Sequence, residues 1–109
     1  MDLFWLGHHS FRIEYKGKVI YLDPYAGEPE DYVKPANLVH ITKNDYDHWS
    51  RSVLNKIVID GTHVFGPAAV ASELYGCRPF TPNESLTFED DTKVQATQAI
   101  IKRRNVTQE

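Results

Sequence analysis

Apolar and polar residues alternate near the start of the chain. In residues 10–15 every second residue is apolar, which is the pattern of a half-buried strand. The polar turn Lys16-Gly17-Lys18 interrupts this pattern, and an apolar run, residues 19–22, follows it. Because a glycine turn between two strand-like runs is typical of a β-hairpin, these residues predict two antiparallel strands.

The middle of the chain alternates between strand-like and helix-like spacing. Residues 38–41 are an apolar run that predicts a strand, and Ser50 can cap a short helix whose apolar positions 53, 54 and 57 share one face. Residues 62–65 predict the next strand. Gly66-Pro67 then opens a second helix, which Gly76 is placed to end. The alternation of strands and helices indicates an α/β fold.

The remaining segments predict a loop, two strands and a tail. Residues 23–35 contain three of the six prolines and four acidic residues, so we expect a surface loop. Residues 85–88 and 93–101 predict strands separated by an Asp90-Asp91 turn. We expect residues 1–101 to form a single domain and residues 102–109, with the basic run at 102–104, to form a solvated C-terminal tail.

Composition narrows the class of protein without identifying it. The 109 residues are 41% hydrophobic and 25% charged, which is ordinary for a globular domain, and the net charge of −3 disfavours nucleic acid and acidic membranes as partners. Cys77 is the single cysteine, so the chain has no internal disulfide and no thiolate metal cluster. Neither a signal peptide nor a run of about 20 apolar residues is present, and we therefore expect a cytoplasmic protein.

The candidate chemistry lies in residues 42–48, Thr-Lys-Asn-Asp-Tyr-Asp-His, directly after the predicted strand at 38–41. This stretch resembles T-H-x-H-x-D-H, the metal-binding signature of the metallo-β-lactamase superfamily. Residues 4–14 and 18–25 resemble the opening hairpin of that superfamily, in particular the predicted zinc-dependent hydrolases related to ascorbate-phosphate lactonases, with their W-L-G-H-x-S-F and I-D-P-Y segments. The resemblance implies half of an αββα sandwich, a mixed sheet with helices on one face.

The resemblance also implies that half of the metal motif is lost. Lys43 and Asp45 stand where the first two histidines are expected, and a lysine ammonium has no lone pair for zinc. Asp47 and His48 keep the last two positions and predict at most a residual zinc, manganese or iron site, to which Asp45 could add an oxygen. Alternatively, Asp47 caps the following helix or tightens the loop by accepting backbone N–H bonds, and His48 packs beneath the loop.

Four side chains are candidate ligand contacts: His8, Asp23, Lys43 and Asp45. In the family, the aspartate corresponding to Asp23 supports the metal loop by hydrogen bonding, and the histidine corresponding to His8 lies near the mouth of the active site. We expect a buried His8 that fixes its loop, and an exposed His9. Lys43 either neutralises Asp45 and Asp47 in place of the lost cation or is simply an exposed lysine.

Chain length bears on the quaternary structure. A complete superfamily domain needs roughly twice this length, so we expect the first half only. No histidine follows His63, and the later metal ligands of the family therefore cannot come from this chain. A sheet with helices on one face leaves its other face apolar, which predicts a homodimer through that exposed face.

Together these features predict a degenerate metallo-β-lactamase-like protein that has no hydrolase activity and acts as a binding or assembly module. The alternative is a metal-dependent hydrolase of an ester, a lactone or a phosphodiester, whose site is completed by a partner chain. In that case Asp47 would position a metal-activated water and His48 would be a metal ligand. A third interpretation is a truncated remnant of a longer domain.

Overall fold

The computed structural model describes residues 1–79 and 84–95, and the chain divides into two compact units, Met1–Pro79 and Phe80–Glu109. The first unit contains every candidate site residue. Its elements are β1 (Asp2–Gly7), β2 (Ser10–Tyr15), β3 (Lys18–Leu22), a 3-10 turn (Pro29–Tyr32), β4 (Leu38–His40), α1 (Arg51–Ile57), β5 (His63–Gly66), α2 (Ala68–Glu73) and β6 (Cys77–Pro79).

The six strands of the first unit form one mixed sheet in the order β1-β2-β3-β4-β5-β6. The first three strands pair antiparallel, and β3 to β6 pair parallel. The predicted hairpin is confirmed, because β2 and β3 are joined by Lys16 and Gly17. Both turn residues have positive φ, +50° and +76°, as a tight two-residue hairpin turn requires.

The core lies between one face of this sheet and the helices. Tyr21, Val39, Val64 and Cys77 are direct partners on neighbouring strands, so their side chains share that face. They belong to the same buried cluster as Leu54 and Ile57 of α1 and Val70 of α2. The predicted fold class, a mixed sheet with helices on one face, is confirmed.

The opposite face of the sheet carries a second set of apolar side chains. Leu3 pairs with Ile13, and Trp5 pairs with Phe11, which places these four residues on the face away from the core cluster. Leu3 and Trp5 are 62% and 68% exposed. The homodimer expected through this face stays a prediction.

Both helices begin where the sequence indicates. The Ser50 hydroxyl accepts a hydrogen bond from the backbone N–H of Val53 at 3.4 Å, so Ser50 is the N-cap of α1. The second helix, α2, follows Pro67, but it ends at Glu73, before the expected Gly76. Gly76 has a φ of +86° and lies in the turn that leads into β6, a strand too short for its three residues to show a pattern.

The second unit contains one described hairpin. Strand β7 (Ser85–Thr87) pairs antiparallel with β8 (Lys93–Gln95), which confirms the start of both predicted strands. Residues 96–101 of the second predicted strand and the predicted tail at 102–109 lie outside the described residues. Within the described part of the chain, no helix has the length and apolar character needed to cross a membrane.

Candidate metal site

Three loops meet at one edge of the sheet. Parallel strands β3 and β4 end at the same edge, which brings Asp23 close to the loop at residues 42–48. Because β2 runs antiparallel to β3, the turn between β1 and β2 lies at this edge as well. The sheet topology therefore brings His8 and His9 towards the motif loop.

Asp23 holds the motif loop in place through contacts of its carboxylate with Thr42 and His48. Its side chain is buried, and its two carboxylate oxygens accept hydrogen bonds from the backbone N–H and the hydroxyl of Thr42, both at 2.7 Å. The Oδ2 atom also lies 3.1 Å from Nδ1 of His48, itself buried. With its oxygens held in this way, Asp23 orients the loop, as the resemblance implied; its role as a ligand contact stays a prediction.

Ser10 anchors the same edge and was missed as a structural residue by the sequence analysis. Its hydroxyl is fully buried and donates to the backbone carbonyl of Asp23. The same oxygen accepts hydrogen bonds from the backbone N–H groups of Tyr25 and Ala26, at 3.1 Å and 2.9 Å. Ser10 therefore ties the start of β2 to the loop that follows β3.

His9, Asp47 and His48 form a cluster that could hold one metal ion. The Asp47 carboxylate faces the Nε2 atoms of both imidazoles, with Oδ2 3.9 Å from Nε2 of His9 and Oδ1 3.9 Å from Nε2 of His48. Each residue offers one ligand atom, and all three atoms lie within 4.8 Å of one another. Two imidazoles and one carboxylate are a donor set that zinc, manganese and iron accept.

The two adjacent histidines play different parts. His8 is exposed, so the expectation of a buried His8 is wrong. It lies in the β1–β2 turn with a φ of +48°, and its ring contacts Tyr25 edge-on at a centroid distance of 6.2 Å. His9 is exposed as expected, with 56% of its side chain accessible. However, its ring also stacks on His48, with centroids 4.4 Å apart and planes 14° apart.

Lys43 and Asp45 are exposed side chains of the motif loop. Within the described part of the chain, Lys43 forms no ion pair with Asp45 or Asp47, and the second of the two interpretations of Lys43 is therefore the one observed. Asp47 does not cap α1, since Ser50 does so. The ligand-binding roles of Lys43, Asp45 and His8 stay predictions.

Burial changes the pKa of one histidine at this edge of the sheet, His40. His40 ends β4 beside Asp23, and burial lowers the pKa of its imidazole below the usual 6.5, while the Asp23 carboxylate opposes that shift. The backbone carbonyl of His40 accepts a hydrogen bond from the N–H of Asp23 at 2.9 Å. The backbone of His40 therefore helps to position Asp23 beneath the motif loop.

The outer side of the motif loop borders a shallow hollow of about 270 Å³. Asn44 connects its walls: its amide donates to the Glu73 carboxylate at 3.0 Å and its carbonyl accepts from the Trp49 indole at 3.3 Å. The Arg51 guanidinium lies over the Trp49 ring, 5.2 Å from its centroid. The hollow is lined by Asn44, Asp45, Tyr46, Trp49, Arg51 and Glu73.

Several known proteins are similar to this chain in sequence or in structure. Two UPF0173 proteins, from Pyrococcus abyssi and Pyrococcus furiosus, are 34% and 31% identical over 70 residues, which are 64% of this chain and 33% of each relative. The crystal structure of a candidate metal-dependent hydrolase from Parabacteroides distasonis superposes with a TM-score of 0.74 at 17% identity, over 87% of this chain and 44% of that one.

The matched segment thus spans one third of the length of each curated relative. A family model described as the beta-lactamase superfamily domain matches residues 2–109. That match covers almost the whole chain and agrees with the motifs at residues 4–25 and 42–48. The chain therefore belongs to the metallo-β-lactamase superfamily.

Proposed function

We propose that this domain uses the metallo-β-lactamase scaffold as a binding module and does not carry out two-metal hydrolysis. The observation that carries the proposal is the pair Lys43 and Asp45, which stand at the first two histidine positions of the motif with exposed side chains. An ammonium group cannot donate a lone pair to zinc, and one remaining carboxylate does not replace two imidazoles. The residues present therefore do not fit the family's first metal.

The hollow beside the motif loop supports a binding role. It presents an indole, a phenol and a guanidinium beside two carboxylates, so a ligand there could stack on the rings and pair with the charged groups. Exposed Tyr46 also contacts Tyr25 edge-on at 6.2 Å, which extends the aromatic surface towards His8. A ligand bound in this hollow would contact the motif loop, and its binding would not require a reaction at a metal ion.

A hydrolysis panel tests the proposal. The untagged protein, loaded in turn with zinc and manganese, is assayed with a nitrophenyl ester, a lactone and a bis-nitrophenyl phosphodiester, beside the matched variant Asp47→Asn. We expect the same rate for both proteins, equal to the rate with free metal. A metal-dependent rate that Asp47→Asn abolishes would overturn the proposal.

A second function is favoured by the cluster of His9, Asp47 and His48 and by the name of the structural neighbour from Parabacteroides distasonis. It is metal-dependent hydrolysis of an ester, lactone or phosphodiester, with further ligands from a partner chain. A metal ion held there would supply a water of lowered pKa. Asp47 would orient that water, and His48, fixed by Asp23, would be a ligand. The hydrolysis panel distinguishes the two functions.

A further inference from the structure

We propose that this chain has a one-metal site built from His9, Asp47 and His48, in which His9 of the β1–β2 turn is the third ligand. Asp47 and His48 come from the motif loop, whereas His9 comes from the start of the chain and stands outside that motif. The site goes beyond the binding role proposed above, because a protein without hydrolase activity can still hold an ion.

The orientation of His48 favours metal binding. Its Nδ1 faces two oxygens, Asp23 Oδ2 at 3.1 Å and Thr42 Oγ1 at 3.2 Å, and the Thr42 hydroxyl donates its own proton to Asp23. The Nδ1 atom must therefore carry the proton in order to donate to these oxygens. As a result, the lone pair of neutral His48 is on Nε2, the nitrogen that faces the cluster, as in metal-bound histidines held by a carboxylate.

The charge at the centre of the cluster favours a bound cation. Nε2 of His48 and the carboxylate of Asp47 face each other at 3.9 Å, and Nε2 of His9 faces the other oxygen of the same carboxylate at 3.9 Å. The lone pair of His48 Nε2 and the Asp47 carboxylate point at one small volume, and His9 adds a second lone pair there when its proton is on Nδ1. Such an arrangement is stabilised by a cation, which can be a proton or a metal ion.

The movement that metal binding requires falls mainly on one exposed side chain, His9. Nitrogen and oxygen ligands of a tetrahedral ion at 2.0–2.1 Å lie about 3.3 Å apart, whereas the three ligand atoms here lie within 4.8 Å of one another, so the gaps must close by up to about 1.5 Å. Two rings that ligate one ion cannot stay stacked face to face, and the His9 ring must leave its 4.4 Å stack on His48. His48 is held by Asp23, whereas His9 is 56% exposed and can turn.

Cobalt binding tests the site. Co²⁺ is titrated into untagged, chelator-treated protein, and binding is followed by the visible absorption of the ion. We expect about one Co²⁺ per chain, with affinity weakened at least tenfold in His9→Gln and in Asp47→Asn. The matched control is His63→Gln, a histidine at the start of β5 and therefore at the opposite end of the sheet, which should change the affinity less than twofold. Circular dichroism shows whether each variant is folded.

Two results would overturn the site: no Co²⁺ binding by the wild-type protein, or equal affinities for the wild type and His9→Gln in folded protein. Zinc offers a second readout, since ring proton signals of His9 and His48 should shift together in NMR spectra while those of His63 do not. The tests of the metal site and of the binding role can fail independently of each other. Metal binding without hydrolysis supports both proposals, whereas hydrolysis lost in Asp47→Asn removes the binding role and leaves the site.

Discussion

Asp23 and His48 form a buried pair, with Oδ2 of the carboxylate 3.1 Å from Nδ1 of the imidazole and only 6% and 8% of the two side chains exposed. Because Asp23 also bonds to Thr42 through both carboxylate oxygens, one side chain holds the beginning and the end of the motif loop. Hydrogen bonds to Asp23 therefore stabilise the shape of the loop.

Asp23→Asn should therefore destabilise the protein. One carboxylate oxygen becomes an NH₂ group, which cannot accept a hydrogen bond from Thr42 or His48, and asparagine tolerates the positive φ of +47°. We expect a loss of about 1–3 kcal/mol in the free energy of unfolding, measured by urea denaturation. Asp60→Asn, which removes an exposed carboxylate, is the matched control and should change stability by less than about 0.5 kcal/mol. Equal losses in the two variants would contradict this role.

Ser10→Ala should also destabilise the protein, because it removes a buried hydrogen-bond acceptor. The substitution leaves the backbone N–H groups of Tyr25 and Ala26 without their acceptor at a fully buried position. We expect a loss of about 2–4 kcal/mol in the free energy of unfolding, again by urea denaturation. Ser72→Ala, in an exposed position of α2, should be neutral within about 0.5 kcal/mol. A neutral Ser10→Ala would show that the buried hydroxyl is not a structural anchor.

Lys43→Ala should leave the stability unchanged. The Lys43 side chain is exposed and has no ion pair with the motif carboxylates, so its removal breaks no contact that the structure shows. We expect melting temperatures equal within about 2 °C, measured by differential scanning calorimetry. A clear drop would instead support a lysine that neutralises the loop.

Rebuilding the first metal position requires two substitutions. Lys43→His alone leaves Asp45 at the second histidine position, so we expect no gain in bound zinc over the wild type. Lys43→His combined with Asp45→His offers two more imidazoles and should raise the zinc content per chain, measured by elemental analysis after dialysis. The same zinc content in the double variant and the wild type would contradict this assignment of the motif positions.

Stability should fall as the pH is lowered through the histidine range. Burial holds the pKa of His40 below 6.5, so between that folded value and 6.5 the unfolded chain binds the proton more readily than the folded protein. The contribution of His40 to stability is therefore complete above 6.5 and is lost as the pH falls towards the folded pKa. Urea denaturation at pH 7.5, 6.5 and 5.5 should show this decline, with a smaller slope in His40→Gln. Equal slopes would exclude His40 as its source.

The sequence by itself determined the hairpin of β2 and β3, the beginning of α1 and the superfamily. Each rests on neighbouring residues: alternation at 10–15, the Lys16-Gly17 turn, the Ser50 cap and the motif at 42–48. Such signals are local, because strand period, turn conformation and capping depend on residues within a few positions of one another. The three-residue strand β6 was missed since its pairing to β5, and not its composition, makes it a strand.

Only the tertiary structure decided which side chains meet. From the sequence, His8 and not His9 was a candidate ligand contact, because the family motif marks the first of the two histidines. In the structure both lie in an irregular turn, where Gly7 and His8 have positive φ, and this turn directs His9 towards Asp47 and His48. Contacts between loops far apart in the chain depend on which strand ends share a sheet edge, and local patterns do not encode that.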